Sequence, residues 1–360
     1  MSVIKKGKLV FSKGYGWANV EEAEPMSPAH ILRVASVSKL ITAVGIMKLV
    51  DDGLLNLDDK VFGKEGIIND SIYGKMRDRR LKKVTVKNLL NHSAGWSQRY
   101  GDPAFYPSRV ARRVDDNLPA SIDTYLKYIM KQRLHYYPGT RSLYSNMGYM
   151  VLAKVIENIS GENYEDYIRF HVLYPAGIYD MYIGHSKHAE ARKNECKYYE
   201  QRGERKVISA LGEGIYVDKS DGGNHIELLG AAGGWICSSA ELVKLISVID
   251  GDPANPDIIT AERVKEMTTV RNGLFPLGWK AAVSNGTWWR TGSMAGTSTM
   301  VKRLPDGTIW AILINTSSWR GSKFPREINK LMSKIMGRVK EWPDQNLFEH
   351  LQPKNFIALN

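Results

Sequence analysis

Ser36 and Lys39 stand three residues apart at the head of a long apolar run, Ser36-Val-Ser-Lys-Leu-Ile-Thr-Ala-Val-Gly-Ile-Met-Lys-Leu-Val50. On a helix, positions i and i+3 share one face, so a hydroxyl and an amine come within hydrogen-bond reach of each other. A hydroxyl attacks poorly at neutral pH until a base takes its proton, and an amine is that base only when neutral. Desolvation and the positive end of a helix dipole both disfavour a charged lysine here. Bringing its pKa from about 10.4 to about 7 corresponds to about 5 kcal/mol. First-turn N–H groups have no partner inside the helix and can face an oxyanion. Taken alone, the pair also fits a plain N-cap serine and a lysine reaching for solvent.

The elements that must position this pair can be read around it. Leu40, Ile41, Val44, Met47 and Leu49, with Ala43, Ile46 and Val50, make the run apolar nearly all round, which predicts a helix buried mid-domain and ending at Gly53. Residues 2–19 alternate as two strands about Lys6-Gly7. Thr85 and Ser121 cap helices, and further helices are expected from about Met147 to Ile159 and from about Tyr164 to Leu173. Ser238 and Glu241 read as a capping box, and another helix covers Thr260 to Thr268. Strands follow over Leu277 to Val283, Thr287 to Thr291, Thr297 to Leu304 and Thr308 to Asn315, with turns at Asn285-Gly286 and Pro305-Asp306-Gly307. A last helix, Pro325 to Val339, carries Ile328, Leu331, Met332 and Ile335 on one side. Strands at both ends with helices between predict an α/β (α+β) fold, an antiparallel sheet built from both chain ends and flanked by helices. The expected division is a sheet subdomain of residues 1–60 and 206–340, a mostly helical inserted subdomain of 61–205, and a tail of 341–360.

Composition narrows the class. The 360 residues suffice for a substantial core, and the absence of an 18-residue apolar run predicts no integral membrane segment. The N-terminus lacks the apolar core of a signal peptide, so the chain is expected to be cytoplasmic, or periplasmic or secreted if a leader was removed. Two cysteines, Cys196 and Cys237, exclude a disulfide framework while leaving one bridge open. His185 and His188 form an H-x-x-H pair, but two ligands without a third make a weak metal site, and neither metal nor other cofactor is expected. The net charge of +12 comes from runs such as Arg77 to Lys83 and Arg109 to Arg113. They read as solvated faces or as attraction for an anionic partner; with no nucleic-acid-binding motif beside them, no nucleic-acid partner is expected.

Two further motifs give the first one its context. Tyr144-Ser145-Asn146 begins a helix after Pro138-Gly139, and Arg290-Thr291-Gly292-Ser293 lies in the late β region. In this order, S-x-x-K, Y-x-N and a basic residue before Thr-Gly resemble the serine β-lactamase and penicillin-binding-protein superfamily. The Y-x-N form is most similar to class C β-lactamases, D-Ala-D-Ala carboxypeptidases and related esterases. Leu89 to Gly95, Tyr137-Pro138-Gly139 and Gly233-Gly234-Trp235 agree with it, and the resemblance covers roughly residues 3 to 338.

The resemblance implies a β-lactamase/transpeptidase-like fold and a role for each residue. Ser36 would attack an ester, amide or lactam carbonyl to form an acyl-enzyme; Lys39, with Tyr144 as phenolate or hydrogen-bonded relay, would take the proton and later activate water. Asn146 would orient Lys39 and hold a substrate amide. The N–H groups of Ser36 and Ser293 would form the oxyanion hole, and Arg290 and Thr291 would bind a carboxylate on a small-molecule or peptide substrate. The chain departs from the family in two places. Arg290 stands where lysine or histidine is usual, and arginine cannot give up its proton. The family also carries a helix before the first strand, so one layer over the sheet is expected to be missing or supplied by the C-terminal helix. An acyltransferase would use the same residues; a sensor module would form an acyl adduct without turnover; a scaffold would act through the basic runs alone. The absence of G-x-S-x-G disfavours an α/β-hydrolase.

Overall fold

Both ends of the chain meet in one antiparallel sheet. The computed structural model describes residues 1–350 except Asp70, Trp319 and the side chains of Tyr100, Ser322 and His350, so residues 351–360 of the expected tail lie outside the described residues. The six strands of the main sheet are β1 (Ser2–Lys5), β2 (Lys8–Ser12), β3 (Ala281–Ala282), β4 (Trp288–Met294), β5 (Thr297–Arg303) and β6 (Ile309–Ile314), in the spatial order β3-β4-β5-β6-β1-β2. Lys6 and Gly7, at φ 50° and 74°, make the first hairpin turn. Ser2 then lies opposite Ala311 and Val3 opposite Trp310, which joins the first strand to the last.

Alternation along the strands divides the sheet into two apolar faces. Ile4, Leu9, Val301, Ile309 and Ala311 join the main core, which also takes in α1 (Ser38–Asp51), α2 (Asn146–Ser160), α3 (Ile226–Gly233) and α4 (Ser239–Ser247). Val3, Val10, Met300 and Trp310 form the opposite face, covered by Met332 of α5 (Phe324–Met336). The C-terminal helix thus supplies a packing layer there. Only part of its expected apolar side is used: Ile328 and Met336 pack beside Met332, while Leu331 and Ile335 are 49% and 39% exposed.

Two other sequence expectations are altered by packing. The strand expected over Leu277 to Val283 shrinks to Ala281–Ala282. Gly278 takes φ 79°, and a Cβ there would lie 2.6 Å from the Ala43 Cβ, so the segment leaves the strand conformation to lie against α1. Ser238 caps α4 by accepting from the Glu241 N–H at 3.2 Å, but the Glu241 carboxylate turns away and accepts from the Tyr179 and Asp180 N–H groups at 3.2 and 2.7 Å. Half of the capping box forms; the other half joins two segments.

α1 itself is apolar all round, with every residue from Ser38 to Met47 buried. α3 and α2 pack on it. Among the described residues no helix is long and apolar enough to cross a membrane.

Candidate active site

Ser36 lies in a single 3-10 turn, Ala35–Val37, that leads into α1. Ala35 before it has φ 47°, a left-handed conformation that costs a residue with a Cβ of the order of 1 kcal/mol. The turn is held from both sides: Val34 N–H donates to the Trp235 carbonyl at 2.9 Å, and Trp235 N–H donates to Ser38 Oγ at 3.1 Å. Gly292 backs onto it so closely that a Cβ would collide with the Val34 carbonyl oxygen and come within 3.0 Å of Ser36 N. Thr-Gly-Ser on β4 therefore runs directly beside the Ser36 turn. Ser36 is partly exposed and Ser293 exposed, so the alcohol is open to solvent.

Three side chains converge on Ser36. Its Oγ lies 2.6 Å from Tyr144 Oη and 3.3 Å from Lys39 Nζ. Lys39 is fully buried, and its Nζ also donates to the Ala232 carbonyl of α3. Burial first, then the nearby Arg290 charge, hold the Lys39 pKa well below the usual lysine range, with Asp102 acting in the opposite sense. Arg290 is only 2% exposed; its Nε donates to the Ser36 carbonyl at 2.9 Å and its Nη2 to Tyr144 Oη at 3.5 Å.

One expected role narrows to one of its alternatives, and another meets a different partner. Burial pushes the Tyr144 phenol up, outweighing the opposing pull of Arg290, so the phenolate form is disfavoured and a neutral hydrogen-bonded relay fits. Asn146 donates its Nδ2 to Asp102 Oδ2 at 2.5 Å, and no hydrogen bond joins it to Lys39 among the described residues. A carboxylate can only accept, so Asp102 fixes which end of the Asn146 carboxamide faces it. The Asp102 carboxyl is in turn pushed up, chiefly by burial.

Three neighbours escaped the sequence reading. His92 packs its ring 4.6 Å from that of Tyr144, and its Nδ1 accepts from the Ser145 N–H at 3.2 Å. Burial, reinforced by Arg290 and Lys39, keeps its pKa well below the ordinary histidine value, hence neutral. Its position within Leu89 to Gly95 was the available signal. Asp102 sits in a loop without periodicity. Lys280 fell inside the expected strand, which offered no reason to single it out. With Ser36, Tyr144, Arg290, Thr291 and Ser293 it lines a cavity of about 220 Å³.

Away from Ser36, the H-x-x-H pair separates. His185 Nδ1 approaches Glu227 Oε1 at 3.4 Å and Glu190 Oε2 at 4.0 Å, and these three residues are the one group among those described that could hold a metal ion; His188 is not part of it. Cys196 and Cys237 are both free and buried.

A sheet closed by both chain ends and a serine–lysine–tyrosine cluster beneath a Thr-Gly strand define a class. The Beta-lactamase family model matches residues 1–331, and the chain belongs to that family. Its fold is the β-lactamase/transpeptidase one. Protein flp of Staphylococcus aureus (strain MW2) is 29% identical over 207 residues, which are 58% of this chain and 38% of that protein. The chain thus spans about two fifths of the length of the curated relatives it matches first. Among solved structures, the octameric penicillin-binding protein homologue from Pyrococcus abyssi has TM-score 0.66 at 26% identity, covering 95% of this chain and 74% of that one. The D-amino acid amidase from Ochrobactrum anthropi SV3 has TM-score 0.67 at 19% identity, over 93% and 91% of the two chains, and shows the shared fold.

Proposed function

We propose that the protein is a serine hydrolase that acts through a Ser36 acyl-enzyme on an ester, amide or lactam carbonyl. The observation that carries this reading is the position of Ser36 Oγ between Tyr144 Oη at 2.6 Å and Lys39 Nζ at 3.3 Å, with the lysine buried. Neutral Lys39 takes the Ser36 proton as Oγ bonds to the carbonyl carbon. The N–H groups of Ser36 and Ser293 hold the developing oxyanion, each worth about 2.7–4 kcal/mol by comparison with such donors elsewhere. On collapse, the bond to the leaving group breaks; the leaving group takes the Tyr144 proton, and Lys39 returns its proton to Tyr144. Water then attacks the acyl-enzyme with Lys39 as base, and Ser36 leaves with a proton restored. Asn146, held by Asp102, and Thr291 position the substrate.

A fluorophosphonate or β-lactam probe should add one adduct mass to Ser36, absent in Ser36→Ala. A panel of p-nitrophenyl esters, D-amino-acid amides and nitrocefin separates turnover from a stable adduct. Adduct formation that persists in Ser36→Ala overturns the reading.

A further inference from the structure

The outer face of the sheet holds a hollow that α5 roofs without filling. The helix seats on that face through Met332, 1% exposed, but nearer its start Phe324 and Ile328 stay half-buried. Between them and the strands lies a space of about 700 Å³, walled by Trp289 of β4, Met300 of β5, Ile312 and Ile314 of β6, and Phe324 and Ile328 themselves. Protein interiors leave few voids larger than a water molecule, so six large apolar side chains around such a space form a surface that a further apolar group can cover. Its volume falls within the roughly 300–1,000 Å³ of small-molecule sites.

The hollow runs into the Ser36 cavity. Lys280, Thr291, Gly292, Ser293 and Pro325 line both spaces, so the passage crosses the edge of β4 under the start of α5. β3 pairs only with Trp288 and Trp289, which leaves the Thr291–Ser293 edge without a strand neighbour on that side among the described residues. A polar group waits at the near end. Strand alternation puts Ser298, which lies opposite Ser293, on the same outer face as Met300. Ser298 lines the hollow, and its buried hydroxyl has no hydrogen-bond partner among the described residues. Lys302, further along, already donates to Asn329 Oδ1 at 2.7 Å. A carbonyl or hydroxyl at the head of an alkyl chain matches this order, with the polar atoms near Ser293 and Ser298 and the apolar body beyond.

We propose that the hollow holds the alkyl chain of an amphiphilic ester or amide whose reacting carbonyl lies at Ser36. This rests on the hydrolase reading above and names its substrate class. Ile312 on the sheet wall and Ile328 on the helix wall are then specificity-determining residues, and both lie outside the three sequence motifs.

The test varies chain length on either side of the reacting bond. 4-Nitrophenyl acetate, butyrate, hexanoate and octanoate lengthen the acyl part; butyl and octyl acetate, followed by pH-stat, lengthen the alcohol. Burying one methylene is worth about fourfold in affinity at most, so in one of the two series four added carbons should raise kcat/KM about 10- to 100-fold, mainly through KM. The series that responds tells which part of the substrate enters the hollow. Ile312→Trp and Ile328→Trp, which fill the space from opposite walls, should each bring the ratio close to one while leaving acetate hydrolysis within about twofold. A second measurement needs neither variant: decan-1-ol bearing a terminal diazirine is photolysed on Ser36→Ala, and the label should map to residues 297–303, 309–314 or 324–336 and be displaced by octan-1-ol. Ser36-dependent turnover indifferent to chain length in both series, a preference that survives both tryptophans, or displaceable label only elsewhere overturns the hollow as the chain site and leaves the hydrolase reading standing. Displaceable label in the hollow without turnover in the wild type supports the site and overturns the hydrolase reading. Neither turnover nor displaceable label overturns both.

Discussion

Tyr144 Oη lies 2.6 Å from Ser36 Oγ, nearer than Lys39 Nζ at 3.3 Å, so the shortest contact of the proposed nucleophile is with a phenol and its proposed base stands behind. Replacing Tyr144 with phenylalanine should lower kcat about 10²- to 10⁴-fold, the usual contribution of one proton-transfer group. Ser36 should still be labelled, slowly, because Lys39 retains its own route to Oγ. Single-turnover kinetics with a chromogenic ester measures this; full-rate turnover would remove Tyr144 from the proton path.

On the proposed mechanism, the rising limb of kcat/KM against pH should report the deprotonation of Lys39. Burial and then Arg290 depress its pKa, while Asp102 raises it. Arg290→Gln should therefore move the limb to higher pH, and Asp102→Asn to lower pH. Each shift is read from a pH profile with saturating and limiting substrate. Two limbs moving the same way would contradict the arrangement of charges around Lys39.

Glu241 is half-buried with its carboxylate turned inward, and that burial raises its pKa from 4.5 to about 7. A carboxyl with a raised folded pKa gives up stability as pH climbs from its unfolded value to its folded one, because the unfolded chain releases the proton first. The loss amounts to about 3 kcal/mol above pH 7. Glu241→Gln can still accept the Tyr179 and Asp180 N–H bonds, so it should raise the melting temperature at pH 8 and change it little at pH 5. Thermal melts at the two pH values decide the matter.

Gly292→Ala places a methyl group against the Val34 carbonyl oxygen and near Ser36 N. Overpacking of this kind costs about 1–3 kcal/mol, and here the strain falls on the Ser36 turn. Denaturant unfolding should show the stability loss. Ester hydrolysis by the folded fraction should fall as well, since β4 can no longer lie as close to Ser36.

Much of this arrangement was legible in the chain. The Ser36 helix was visible because it is apolar on all sides, and the Asn285-Gly286 and Asp306-Gly307 turns because few other residues adopt their backbone. The fold followed from strands lying at both ends. What stayed hidden depends on tertiary contact. Asp102 reaches Asn146 across 44 residues of sequence, through a loop with no pattern of its own. Glu241 looks like a capping residue until its partners at Tyr179 and Asp180 appear. The direction of the Tyr144 shift could not be foreseen, since burial and the Arg290 charge oppose each other and only packing determines which is larger.

Because β1 has β6 as a neighbour, with Ser2 opposite Ala311, the ribosome must deliver nearly the whole chain before the first hairpin gains its second partner. Until then α1, with no polar face of its own, has no completed sheet to shelter it. Such remote pairing slows folding and lengthens the exposure of sticky surface, so a nascent chain of this design depends on folding assistance more than one whose neighbours in space are neighbours in sequence.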